Sequence, residues 1–223
     1  MSRLAFFDLD HTLLAGDSDV LWCEHLIGEG LLDRAEFEPR NRAMAERYAR
    51  GEATPAEFCG FYAQTLAGAP SEAWLARRAH WFAQAIAPRL GNAARALVAE
   101  HRLRGDRVVL TTATSRWLVE PSAVELGIAD LLATELEVGA DGRYTGRLDG
   151  TPNMRAGKLE RVHAWLRHEG YGPQALAEAS FYSDSANDLP LLLEVGHPVA
   201  VDPDPLLAEH AREHGWRVIH LPR

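Results

Sequence analysis

Leu4-Ala5-Phe6-Phe7-Asp8-Leu9-Asp10-His11-Thr12-Leu13-Leu14, close to the amino terminus, decides how the rest of the chain is read. Its first four residues are an apolar run of the length of a buried strand, and the run stops at two carboxylates. Asp8 and Asp10 are spaced i, i+2, which puts both on the same side of an extended chain. Two acids so close repel each other unless a cation or a shared proton compensates. Open α/β sheets bind ligands at the carboxyl ends of their strands, where such compensation would be useful. A plain strand-to-loop transition, with an Asp capping the next helix, explains the same residues. Only the remainder of the chain can decide between the two.

The composition narrows the field. The chain has 223 residues, 47% of them hydrophobic and 25% charged, enough to build a substantial core and to exclude wholesale disorder. A formal net charge of -9, with no long Lys/Arg run, gives no electrostatic footprint for nucleic acid. Cys23 and Cys59 form no CxxC pair, so buried thiols in a reducing compartment are expected. No apolar stretch approaches the roughly 18 residues of a membrane span, and Asp8 interrupts the first apolar run too early for a leader. A soluble cytoplasmic protein, monomer or homodimer, with neither membrane nor nucleic-acid partner, is the expectation.

Beyond Leu14 the periodicity becomes helical. Asp17 or Ser18 is placed to cap a helix, and Trp22, Leu26 and Ile27 share its apolar face. Arg34 through Arg50 reads as a charged helix. Thr54-Pro55-Ala56-Glu57 is a helix start with a capping box, and Ser71-Glu72-Ala73-Trp74 opens another helix. These four helical pieces make a small bundle, with Trp22, Trp74 and Trp81 as its core and Arg40, Arg42 and Arg47 on a solvated face.

From Pro88 strands and helices alternate. Asn92–Arg104 is amphipathic, Val108–Thr112 is β-branched, and Trp117–Leu126 is helical. Thr134–Val138 and Tyr144–Leu148 flank Asp141-Gly142 as a hairpin. Next come a helix from Gly157 to Glu169, a strand from Ala179 to Ser183 and a helix from Asp188 through Val195. Strands at 198–201 and 216–219 bracket a helix from Pro205 to His214. Such alternation implies a doubly wound α/β fold, a parallel sheet covered by helices on both faces.

The residues of chemical interest sit just past strands or at helix starts: Asp8, Asp10 and Thr12; Thr112, Ala113 and Thr114; Lys158; Asp184, Asn187 and Asp188. In a doubly wound sheet these positions share one edge. Carboxylate oxygens suit Mg²⁺, a hydroxyl and an ammonium suit phosphate oxygens, and an Asp facing both can attack phosphorus.

The same residues carry a family resemblance. Asp8-Leu9-Asp10-His11-Thr12 resembles the first motif of the haloacid dehalogenase superfamily, and Thr112, Lys158 and the Asp184…Asp188 pair match the second, third and fourth in order. The helical insertion, and the hairpin Asp141-Gly142-Arg143-Tyr144-Thr145-Gly146, are similar to the phosphoserine-phosphatase-like branch. The resemblance implies a three-layer Rossmann-like core at 1–15 and 88–223, and a mobile helical cap at 16–87. It also implies a Mg²⁺-dependent phosphatase of small phosphomonoesters such as phosphoserine or histidinol phosphate. In that scheme Asp8 is the nucleophile and a Mg²⁺ ligand. Asp10 moves the proton and offers its carbonyl to the metal. Thr112 and the Ala113 N–H hold the phosphoryl group, and Lys158 neutralises Asp8 and a phosphate oxygen. Asp184 ligates Mg²⁺, Asp188 supports the metal's waters or Lys158, and Asn187 touches phosphate.

The pattern departs from the family in places. Ser183 stands where Gly is common, and Thr112 replaces Ser. Asp17 stands where phosphoserine phosphatases carry a longer substrate-reading Glu, so it serves either as N-cap or as substrate contact. His11, the alternate residue of the first motif, is expected to point away. The competing readings are a phosphotransferase or mutase, a metal-free dehalogenase in which Asp10 and the Asp184/Asp188 pair have no task, and a non-catalytic receiver module, against which the large insertion speaks.

Overall fold

The computed structural model describes residues 2–50, 52–70, 72–172 and 174–222. Its strands are β1 (Leu4–Phe7), β2 (Arg107–Ser115), β3 (Asp130–Val138), β4 (Tyr144–Asp149), β5 (Ser180–Ser183), β6 (His197–Val201) and β7 (Arg217–Ile219). They form one sheet in the order β4-β3-β2-β1-β5-β6-β7. Each neighbouring pair is parallel except the β3–β4 hairpin. The opening stretch is therefore the central strand, and the chain winds outward from it in both directions.

β1 shows why the fold has two core layers. All four of its residues are buried; Ala5 and Phe7 enter one hydrophobic cluster, Leu4 and Phe6 the other. A strand covered on both faces needs apolar residues at every position rather than at alternate ones.

Between β1 and β2 the chain forms α1 (Ser18–Gly28), α2 (Arg34–Ala49), α3 (Pro55–Ala63) and α4 (Glu72–Trp81). α5 (Asn92–Leu103) and α6 (Arg116–Glu125) pack on the face of Ala5 and Phe7. α7 (Ala156–His168), α8 (Leu189–Leu192) and α9 (Pro205–His214) cover the other. The architecture is the expected doubly wound one.

Local signals hold where side chains dictate them. Thr54 and Glu57 form the capping box of α3, and Asp17, not Ser18, caps α1 through the Val20 N–H (2.8 Å). Trp22 and Trp81 are buried in the insertion. Arg40 pairs with Glu36, and Arg47 with Glu57, on an exposed surface. The expected helix start at Ser71 lies outside the described residues.

Among the boundaries that differ from expectation, two stand out. β3 begins at Asp130, four residues before the expected start, because Asp130–Leu132 pair with Val109–Thr111 of β2 although their letters show no alternation. The helix expected from Asp188 to Val195 is a 3₁₀ turn, Ala186–Asp188, followed by the four residues of α8.

Candidate active site

The carboxyl ends of β1, β2 and β5 open onto a cavity of about 170 Å³ lined by Asp8, Asp10, Asp184 and Lys158, with Thr112 and Asn187. Residues more than a hundred positions apart meet there because parallel strands end at the same edge.

Asp8 leaves β1 with its backbone N–H donating to the Tyr182 carbonyl (2.9 Å), which extends the β1–β5 ladder one residue into the cavity. Lys158 Nζ donates to Asp8 Oδ1 at 2.9 Å and to Asp188 Oδ2 at 2.7 Å. Ser183 Oγ also donates to Asp188 Oδ2, at 2.7 Å. Thr12 Oγ1 lies 3.3 Å from Asp8 Oδ2 and 3.0 Å from Asp184 Oδ1, and it accepts the Asp184 N–H at 3.0 Å. One hydroxyl thus spans two carboxylates from different strands.

Asp10 is held otherwise. Its Oδ1 accepts the N–H (2.8 Å) and hydroxyl (2.5 Å) of Ser18, and its Oδ2 accepts the Thr114 hydroxyl at 2.8 Å. Thr112 Oγ1 lies 3.5 Å from the same oxygen and accepts the Thr114 N–H. Asp8 and Asp10 therefore share a side of the chain and differ in surroundings: one faces an ammonium, the other hydroxyls.

The β2–β3 register shifts between Thr111 and Ser115, where the cavity wall begins. Buried Asn153 ties this irregular stretch down; its Nδ2 lies within 3.0 Å of Thr111 Oγ1, the Thr112 carbonyl and the Leu132 carbonyl. Ala113 lines the cavity and its carbonyl accepts from Thr134 Oγ1 at 2.6 Å.

Charge in the cavity is one-sided. Among its described lining residues six carboxylates (Asp8, Asp10, Asp17, Asp19, Asp184, Asp188) face one ammonium. Burial pushes Asp8 well above the usual carboxylate range despite Lys158, and Asp188, Asp184 and Asp10 push the same way. Burial lifts Asp184 to about 7, tempered by the Thr12 hydrogen bond. Burial, then Asp10, lift Asp17 to about 7. Asp19 is raised by burial and then by Asp17 and Asp10. Burial works against charge on Lys158, but Asp188 and Asp8 outweigh it and raise its pKa, so it stays an ammonium. Hard oxygen donors carrying excess negative charge fit an oxygen-preferring divalent cation.

A haloacid dehalogenase-like hydrolase family model matches residues 5–193, which spans every motif residue above. The chain belongs to this family. A histidinol-phosphatase from Neisseria meningitidis is 39% identical over 221 residues, covering 99% of this chain and 100% of the relative. A phosphoserine phosphatase from Mycobacterium tuberculosis is 33% identical, covering 98% of this chain and 70% of the relative. A solved structure of a protein of unknown function from Bordetella pertussis superposes with a TM-score of 0.90 at 43% identity, over 98% and 99% of the two chains.

Several residues in this hydrolase's site carry no motif. Asp19 lines the cavity with its Oδ2 3.3 Å from Thr114 Oγ1; its only mark in the sequence is the i, i+2 spacing from Asp17. Tyr48 and Phe58 reach the cavity from α2 and α3, their rings 4.4 Å apart. Arg155 stacks over Tyr48 at 4.2 Å and donates to Asn187 Oδ1 at 3.1 Å, so Asn187 is turned toward Arg155. Asp17 caps α1 and also lines the cavity, so N-cap and cavity position are both true of it. His11 corrects an expectation. It takes a left-handed conformation (φ 58°), strand alternation ends there, and the residue lines the cavity instead of pointing away.

Proposed function

We propose that this chain is a Mg²⁺-dependent phosphatase acting on a small amine-bearing phosphomonoester, with histidinol phosphate as the substrate of choice. The observation that carries the reading is Asp8, clamped by Lys158 on one oxygen and linked through Thr12 to Asp184 on the other.

In this reading Asp8 attacks phosphorus, the bond to the leaving oxygen breaks, and Asp10 gives that oxygen its proton. Asp10 then takes a proton from the water that attacks the phosphorylated Asp8, releasing inorganic phosphate and restoring the carboxylate. Thr112 and the Ala113 N–H hold the phosphoryl oxygens, and Lys158 offsets their charge. Asp188 keeps Lys158 aimed at Asp8. Mg²⁺ held by Asp8, Asp184 and the Asp10 carbonyl would neutralise the crowded carboxylates and the incoming phosphate.

Cavity charge supports the choice of substrate. Phosphoserine brings a carboxylate into a space where the described lining residues already carry six acids and no arginine. Histidinol phosphate brings an ammonium for Asp17 or Asp19 and a ring for Tyr48 and Phe58. The histidinol-phosphatase name of the Neisseria relative, similar over its whole length, points the same way.

The test is turnover of histidinol phosphate and phosphoserine with and without Mg²⁺, in wild type and Asp8→Asn. Histidinol phosphate is expected to be preferred, and Asp8→Asn to lose on the order of 10⁴-fold or more in kcat while staying folded. Undiminished turnover in Asp8→Asn sinks the mechanism; preference for phosphoserine sinks the substrate.

A further inference from the structure

The last long helix carries a cluster that the chemistry above leaves unused. His210, Glu213 and His214 of α9 each present one ligand atom, and these atoms lie within 4.8 Å of one another. Positions i, i+3 and i+4 are neighbours on one helical face, so the spacing itself brings the three together.

His214 is prepared for ligation. Its Nδ1 lies 2.9 Å from the His210 carbonyl. The neutral ring donates Nδ1–H there and keeps the lone pair on Nε2, the arrangement that metal-bound imidazoles use to fix tautomer and orientation. The ring also lies against His210 (centroids 5.7 Å apart, 25° between planes) and Trp216 (5.4 Å), which limits its rotation. His210 Nδ1 is buried without a hydrogen-bond partner among the described residues. Arg212 approaches Glu213 at 3.8 Å, but both side chains are exposed and such a pair is worth little.

The cluster is also far from the carboxylates. Asp204 begins α9 beside the cavity edge, its N–H donating to the Asp184 carbonyl at 2.8 Å. The helix then runs back about 15 Å over its ten residues. Its last turn therefore reaches the opposite edge of the sheet, where His214 lines a separate cavity with Arg3, Arg104 and Arg217.

We propose that His210, Glu213 and His214 bind one divalent ion of the Zn²⁺ class at a site distinct from the Asp8 cavity. Two imidazoles and one carboxylate are a borderline donor set that suits Zn²⁺, whereas Mg²⁺ prefers all-oxygen surroundings. Three protein ligands leave a further position for water or a small anion.

Isothermal titration of Zn²⁺ into the metal-stripped full chain, in saturating Mg²⁺, decides it. Wild type is expected to bind one more Zn²⁺ per chain than the His210→Ala/His214→Ala double variant. Glu213→Gln is expected to weaken that same event by at least the roughly 10–100-fold that loss of an outer partner costs a metal site. The residues are half-buried or exposed, so thermal unfolding without zinc should be unchanged and show both variants folded. Equal Zn²⁺ stoichiometry and affinity in wild type and the double variant overturn the proposal.

Discussion

Asp17 joins two roles in one side chain. Its Oδ1 caps α1 while burial and Asp10 lift its pKa to about 7. Because the folded value lies above the ordinary 3.8, the native state binds more protons than the unfolded chain between those limits. The stability this provides is complete below about pH 4 and is lost as pH rises through about 7. Asn caps a helix nearly as well as Asp but does not ionise. Asp17→Asn is therefore expected to be close to wild type at about pH 4.5 and more stable by on the order of 1–2 kcal/mol at about pH 7.5. That is less than the full shift would give, because the side chain is half-buried and solvent screens it. Urea midpoints in chelator at both pH values measure the difference. A gain that does not grow with pH would show that Asp17 is not held against its charge.

At the scale of elements, the turn into α7 sets where Lys158 points. Arg155 occupies an unusual backbone conformation (φ 53°, ψ -128°) immediately before the helix. Gly157 then passes so close to the preceding loop that an added Cβ would lie 2.3 Å from the Pro152 carbonyl oxygen and 2.9 Å from Thr151 Cγ2. Backbone cannot yield there as the end of a flexible side chain would. Gly157→Ala should cost roughly 1–3 kcal/mol by overpacking. It should also move Lys158 off Asp8, lowering kcat by about 10²-fold for a displacement near 1 Å. Urea unfolding and steady-state turnover read the two effects, and unchanged kcat would detach Lys158's position from this contact. Here the sequence was half legible. Asp8, Asp10, Thr112, Lys158 and Asp184 were visible as carboxylates, a hydroxyl and an ammonium at strand ends and a helix start, and the sheet brings them together at one cavity. Asp19, Tyr48, Phe58 and Arg155 were not, because nothing local to their letters distinguishes a cavity wall from a helix surface. Their positions depend on how α1, α2 and α3 and the turn into α7 meet over the sheet edge, which is tertiary information.

For the whole molecule, the question is which part of the insertion can move. The main hydrophobic cluster does not stop at the sheet; it continues through Trp22 and Leu26 of α1 and Trp81 of α4, alongside Phe7 and Leu110. Trp22 lies 5.8 Å from Trp117 of α6 and 5.4 Å from Trp81, so α1 and α4 are fastened to the core. α3 also enters this cluster through Ala63, whereas no described residue of α2 does; α2 meets α3 in two small satellite clusters, around Phe37 and Tyr62 and around Tyr48 and Cys59. Over the cavity α2 is joined to the core by few groups, among them Tyr48 in the cluster of Met154 and under Arg155. Segments with few buried apolar contacts open at lower free energy than the global transition. The packing therefore predicts that the mobile part of the cap is α2, a shorter piece than residues 16–87. Native-state hydrogen exchange should show α2 amides exchanging through openings several kcal/mol cheaper than those of α1. Trp22→Ala should lower global stability by about 3–5 kcal/mol. Phe37→Ala should instead speed exchange in α2 while moving the global midpoint far less. Amides of α1 and α2 exchanging at the same free energy would mean that the insertion opens as one body, and that the Trp22 cluster parts with it.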